Sequence, residues 1–213
     1  FGYGNSENPG TEDKAFNSTG YGLDYIDSKH KVHHWILNQV KSIQLPATIV
    51  NPTFMLGPHD SKPSSGEMVR NFYLGHIPGY TPGGRNFIYV KDAAIGVVNA
   101  LEKGKIGESY ILGNQNMNYK DFFALMGEVL DRKPPKLVLP KWMFMFISKI
   151  NAGLAKIGGF TPRTFPAIVN IAYDEQFFSA AKAIREIDLP QTPIKQAIEE
   201  CYKWLKDNNY LSK

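Results

Sequence analysis

The chain has a single cysteine, Cys201, in 213 residues. No intrachain disulfide can form, and a zinc site built on several cysteines is excluded. Such sparse cysteine use fits a reducing cytoplasm. There is no run of five or six basic residues, so the formal charge of +4 and a pI near 9.0 give no nucleic-acid arm, and no nucleic-acid partner is expected. No basic segment leads into an apolar stretch, so no secretory signal is visible. The most apolar stretch, Trp142 to Ile147, is short, and Lys141, Lys149 and Lys156 interrupt its surroundings. That excludes a bilayer span, and no membrane partner is expected. A Gly-x-Gly-x-x-Gly motif between a strand and a helix is also missing. Gly2-Tyr3-Gly4 follows no strand and lacks a third glycine, and Gly79 to Gly84 contains Pro82 and reads as a turn.

What is present is an ordinary globular composition, 43% hydrophobic and 21% charged, long enough for one or two domains. Residues 1 to 20 are rich in Gly, Asn, Ser and acid and read as loop. Ile26, Val32, Ile36, Leu37 and Val40 predict a helix over about 23–40. Leu45 to Val50, ended by Asn51-Pro52, predicts a strand covered on both faces. Ser64 with Glu67 forms a capping-box pattern for a helix to about Gly75. Phe87 to Val90 reads as a short strand, and Asp92 as the cap of a helix ending at Lys103-Gly104. Ser109 to Leu112 predicts another strand, and Asn118 to Asp121 the start of a helix closed by Pro134-Pro135. Trp142 to Ile157 is apolar on nearly every face. It suits the core of a small lobe or an apolar wall over a hydrophobic substrate. The last helix, Pro193 to about Lys206, carries the stripe Ile194, Ala197, Ile198, Cys201 and Leu205. Alternating strands and helices through about residue 112 predict a parallel α/β layer, and residues 113–213 a smaller, mainly helical lobe.

Tyr25 and Lys29 stand at i and i+4, on one face of the predicted helix. An ammonium beside a phenol favours the phenolate, which suits tyrosine to proton exchange with a carbonyl or alcohol oxygen. Tyr202 and Lys206 repeat the spacing on the terminal amphipathic helix, where a structural role is expected. His30 and His34 have metal-ligand spacing, but no acidic or sulfur partner is evident nearby, so they read as surface histidines and no metal is expected.

Taken in order, these parts resemble the extended short-chain dehydrogenase/reductase family, in its branch of dihydroflavonol-reductase-like proteins and sugar-nucleotide epimerases. The resemblance rests on Tyr25-Ile-Asp-Ser-Lys29, on Pro46 to Pro52 with Gly57-Pro58, and on Gly84-Arg-Asn-Phe-Ile-Tyr-Val-Lys-Asp92. It continues through Gly107 to Gly113 and weakly to Phe178 to Lys182, so it covers nearly the whole chain. It implies a truncated Rossmann-type parallel sheet with a helical substrate lobe. The glycine-rich half that holds the dinucleotide phosphates, and the family's catalytic serine or threonine, are expected to lie ahead of Phe1. By match, Tyr25 is the acid/base, Lys29 holds the nicotinamide ribose, and Pro52, Thr53 and Phe54 lie against the nicotinamide of NAD or NADP. Met55, His59, Phe72 and Arg85 are the implied substrate contacts. The strand ends Val50-Asn51-Pro52 where many relatives have Arg-Pro, which leaves the substrate open between an apolar molecule and a sugar nucleotide. A homodimer, or association with an N-terminal half, is the implied assembly. The alternative is a ligand- or partner-binding fragment with no activity of its own.

Overall fold

The computed structural model describes residues 1–18, 24–158 and 166–211. In chain order the elements are α1 (Asp24–Ile43), β1 (Ile49–Pro52), β2 (Phe54–Leu56), α2 (Gly66–Tyr73), β3 (Gly79–Tyr80), β4 (Gly84–Tyr89), α3 (Val90–Lys103) and β5 (Ser109–Leu112). They continue as β6 (Gln115–Asn118), α4 (Tyr119–Leu130), β7 (Leu137–Val138), α5 (Lys141–Gly158), α6 (Pro166–Tyr173), β8 (Glu175–Gln176), α7 (Ala181–Ile187) and α8 (Ile194–Asp207).

Every residue of β4 except Arg85 is buried, because this strand has neighbours on both edges. It pairs in parallel with β2 and β8 and antiparallel with β6. Phe87 stacks on Phe122 of α4 at 4.1 Å between ring centres. The larger core cluster adds Leu56, Phe72, Phe123 and Met126, and is closed by the α8 stripe, all five members of which are fully buried. A second cluster, with Ile88, Ala93, Tyr110 and Leu112, lies under α3 and α7. Beside it β1 pairs in parallel with β5. The fold is thus α/β with parallel strand pairs. Residues from both sides of position 112 share β4 as their centre.

Several local expectations change for physical reasons. The predicted strand over 45–50 begins only at Ile49: Gln44 takes a left-handed φ of 54°, and Pro46 offers no N–H to a ladder. The Ser64–Glu67 capping box does not form. Asp60 Oδ2 instead accepts from the backbone N–H groups of Ser64 and Gly66, both at 2.9 Å. A carboxylate outcompetes a hydroxyl for that position, and Glu67 turns to Arg70 and Asn71. Asp92 is not a cap either. It is buried at the start of α3 and accepts from Thr192 N–H at 2.7 Å and Thr192 Oγ1 at 2.8 Å, which fixes the approach to α8. The expected turn over 79–84 includes β3, which pairs with β7. Asn118 does cap α4, accepting from Asp121 N–H at 2.8 Å. Trp142 and Phe146 do not enter a core: they are 73% and 62% exposed on α5. Among the described residues no helix is long and apolar enough to cross a membrane.

The segment 1–18 is ordered by the chain's distant end. Gly4 N–H and Gly10 N–H both donate to Phe177 C=O, and Ser6 N–H donates to Glu175. Glu12 accepts from Ile111 N–H at 2.8 Å, which occupies a backbone donor of β5. A Cβ on Gly2 would collide with the Ala15 carbonyl, and one on Gly4 with the Asn8 carbonyl. These glycines serve close backbone packing rather than an open phosphate cradle.

At the junction of α8 with β4 and α3, Glu200 accepts from Tyr89 Oη at 2.5 Å and Lys91 Nζ at 2.7 Å. The Lys91 hydrogen bond, followed by those of Tyr89 and Gln196, holds the Glu200 carboxyl at about 2. A carboxylate depressed in the folded state contributes stability above its unfolded value and loses it as pH falls through the folded one. Glu200→Gln should therefore be less stable than the parent at pH 6. The gap should close between about pH 4.5 and 2, as read from urea unfolding midpoints across that range.

Candidate active site

Tyr25 and Lys29 lie one turn apart near the start of α1, both exposed, with Tyr25 at 72%. Lys29 Nζ sits 5.5 Å from the Tyr25 ring centre, over the ring face. They open on a cleft of about 300 Å³, lined also by Ser18, Asn51, Pro52, Gln176 and Phe178. Helix α1, the end of β1, and β8 with the residues after it therefore converge on one space.

Asn51 Nδ2 is buried there without a well-formed hydrogen bond among the described residues, its side chain reaching only toward His33. A buried donor so weakly satisfied beside a cleft is suited to a ligand acceptor. The neighbouring His33 meets Ser109 Oγ at 3.3 Å through Nε2. Burial, reinforced by nearby positive charge including His34 and His30, lowers the His33 pKa against a smaller raising effect of Asn51. His33 lines the same cleft, where burial disfavours its charged form.

The implied nicotinamide wall, Pro52 to Phe54, is tied down from behind. Thr53 N–H donates to Leu112 C=O at 3.0 Å, and Thr53 Oγ1 donates to Asn86 Oδ1 at 2.8 Å. Asn86, 2% exposed, also accepts from Asn114 N–H at 3.0 Å. Its amide nitrogen donates to Asn116 Oδ1 at 2.7 Å and Phe178 C=O at 3.2 Å. A side chain at Gly113 would run into Asn86 Oδ1, so that glycine is required by the close approach. Phe54 lies under the Arg85 guanidinium at 5.1 Å, and Arg85 Nε donates to Tyr119 Oη at 2.8 Å.

The structure thus brings Tyr25, Lys29 and Pro52 to one cleft, and pairs Phe54 with Arg85. Thr53 lies between them on the Asn86 network. The other implied substrate contacts stand apart from that cleft's lining. Met55 is 39% exposed on β2. His59 has a left-handed φ of 72° and faces Trp204 at 6.1 Å. Phe72 is in the core, stacked on Phe123 at 5.9 Å, so its ring is turned away from any open space. The Asn51 donor and the Asn86 network were missed from sequence. The Asn51-Pro52 strand end was the visible signal for the first, and nothing local marks the second.

A larger cleft of about 540 Å³ lies on the adjoining face of α1, among His30, His33, His34, Glu12, Glu108 and Lys182. Phe16 stacks on His30 at 3.9 Å, and Lys182 is paired with Glu108 at 2.5 Å. Among the described residues no group of three or more His, Cys, Asp or Glu is placed to hold a metal.

A model of the NAD dependent epimerase/dehydratase family matches residues 2–113, more than half of the chain. The chain belongs to that family. A curated relative from Synechocystis sp., named "Putative dihydroflavonol 4-reductase", is 31% identical over 168 residues, covering 76% of this chain and 49% of that protein. Among solved structures, gox2253 superposes with a TM-score of 0.82 at 29% identity, over all of this chain and 64% of that one. A nucleoside-diphosphate-sugar epimerase from Pseudomonas aeruginosa does so with a TM-score of 0.77 at 25% identity, over 99% of this chain and 64% of that one. The chain therefore spans about half the length of that curated relative. These family likenesses agree with a Rossmann-type α/β fold.

Asn86→Ala would strip the Asn114 N–H of its acceptor, while the Thr53 hydroxyl would keep Leu112 C=O, and Asn116 and Phe178 would keep each other's hydrogen bonds. The stranded N–H costs about 1–3 kcal/mol. The urea midpoint should fall well below that of the parent. An unchanged midpoint would mean that water replaces the amide without cost.

Proposed function

We propose that this chain supplies the proton-transfer part of an NAD(P)-dependent oxidoreductase or epimerase acting on a hydroxyl or carbonyl carbon. The observation that carries the reading is the shared cleft of Tyr25, Lys29, Asn51 and Pro52. Tyr25 Oη would give a proton to the substrate oxygen, or take one from it, with the Lys29 ammonium one turn away over its ring face to hold the nicotinamide ribose. The Asn51 donor would meet an oxygen of the cofactor or substrate, and Pro52 to Phe54 would form a rigid wall held by Asn86. When bound, the nicotinamide supplies the hydride chemistry.

The residues present fit the nicotinamide end of such a cofactor. The pyrophosphate end has no counterpart among the described residues, since the glycines near the start and at 79–84 are filled by packed backbone. The substrate classes that suit this reading are an apolar alcohol or ketone and a sugar nucleotide. Helix α1 carries no buried residue. This supports an assembly in which α1 is covered by a second copy or by an N-terminal half.

In protein that includes its nucleotide-binding half, Tyr25→Phe should lower turnover by about 10²–10⁴ while largely keeping cofactor affinity. Lys29→Ala should lose both. Tyr202→Phe, on α8 against Tyr73, is the control and should be nearly silent. Unchanged turnover in Tyr25→Phe overturns the assignment.

The 213-residue chain by itself should bind NAD(H) or NADP(H) with a Kd of about a millimolar or weaker, because helix N-termini and phosphate loops provide much of the anchoring. Titration calorimetry reads this directly. Micromolar binding would require a second nucleotide site.

A further inference from the structure

The charges of this chain are segregated. Seven of its 24 basic residues, and none of its 20 acidic ones, fall between Arg132 and Tyr173, which leaves the remainder of the chain net acidic. The acid-free stretch contains β7 and α5. On α5, Trp142, Phe146, Lys149 and Ile150 recur at i, i+4, i+7 and i+8, and so share one helix face. All four are exposed, Ile150 at 46%, whereas Ser148 on the other side of the helix is fully buried. Just before the helix, Leu137 and Val138 of β7 are 54% and 49% exposed. Lys133, Lys136 and Lys149 are exposed, and none of them joins an ion pair among the described residues.

We propose that the exposed face of α5, with β7, docks on the surface of an anionic lipid bilayer. Three features favour a lipid surface over a protein partner. Indole and phenyl rings with Lys149 on the same face, and Lys133 and Lys136 exposed just before the helix, suit the headgroup level, where aromatic rings embed and ammonium groups reach the phosphates. The core of a protein–protein interface is, by contrast, depleted in lysine. Finally, the absence of any acid over the whole stretch matches the sign of an anionic leaflet, which attracts each nearby cation. Hydropathy alone points away from a membrane because it tests for a span, and α5, with three lysines in 18 residues, is too charged for one. A helix lying in the interface needs only one apolar face. This inference does not depend on the redox reading of the Tyr25 cleft.

The test is sedimentation of the purified chain with vesicles of phosphatidylcholine alone and of phosphatidylcholine mixed with phosphatidylglycerol. The chain should partition onto the anionic vesicles, and added salt should release it. Lys149→Gln should weaken that partition about fivefold, and Phe146→Glu about tenfold to a hundredfold. Both side chains are exposed, so the variants should keep the parent's circular dichroism and thermal midpoint. Trp142 should shift its emission to the blue on binding, and the shift should be lost in Trp142→Phe. Absence of partition, equal partition onto both vesicle types, or partition untouched by either substitution overturns the proposal. So does a Phe146→Glu variant that turns a dimer into a monomer without any vesicle binding in the parent.

Discussion

One buried carboxamide, that of Asn86, is the constraint on which the centre of this fold depends. It joins the turn after β1, the β5–β6 turn, β6 and the stretch after β8, reaching partners up to 92 residues away in sequence. A neutral amide can serve donors and acceptors together without the desolvation cost of a charge. Its position in β4, with strands on both edges, then explains Gly113 and the fixed course of Pro52 to Phe54. If the wall of a nicotinamide site is here, it is rigid because it is hydrogen-bonded from behind.

Two kinds of order meet in the molecule. Around β4 the packing is dense: rings stack between β4 and α4, and α8 buries its whole apolar stripe. Helix α1 is the opposite, twenty residues without one buried side chain, though it carries the candidate acid/base pair. A helix with so little of its surface buried leaves room for further contacts along its length. The family proteins that this chain matches are longer than it is.

The legible parts of the fold were those set by local chemistry. The α8 stripe, the Asn118 cap and the Ser109–Leu112 strand follow from periodicity and side-chain hydrogen bonding, and these need no distant partner. The illegible parts were decided at long range. Asp60 took the cap that Ser64 offers locally, Asp92 left its expected cap for Thr192, and Trp142 and Phe146 stayed outside the core their hydropathy suggests. That Tyr25 and Lys29 share one face of a helix follows from their spacing alone. The convergence of Asn51, Gln176 and Phe178 on the same cleft does not, because it depends on how β8 and the stretch after it cross β1 and α1.

The central claim is that the Tyr25 cleft is the nicotinamide end of a cofactor site. Amide chemical shifts of the chain, followed through a millimolar titration with nicotinamide mononucleotide, test it most directly. The account predicts that the largest changes fall on Tyr25, Lys29, Asn51 and Thr53, with Asn86 responding through Thr53. Changes confined to His30, His34, Glu108 and Lys182 in the neighbouring cleft, or none at any concentration reached, would contradict it.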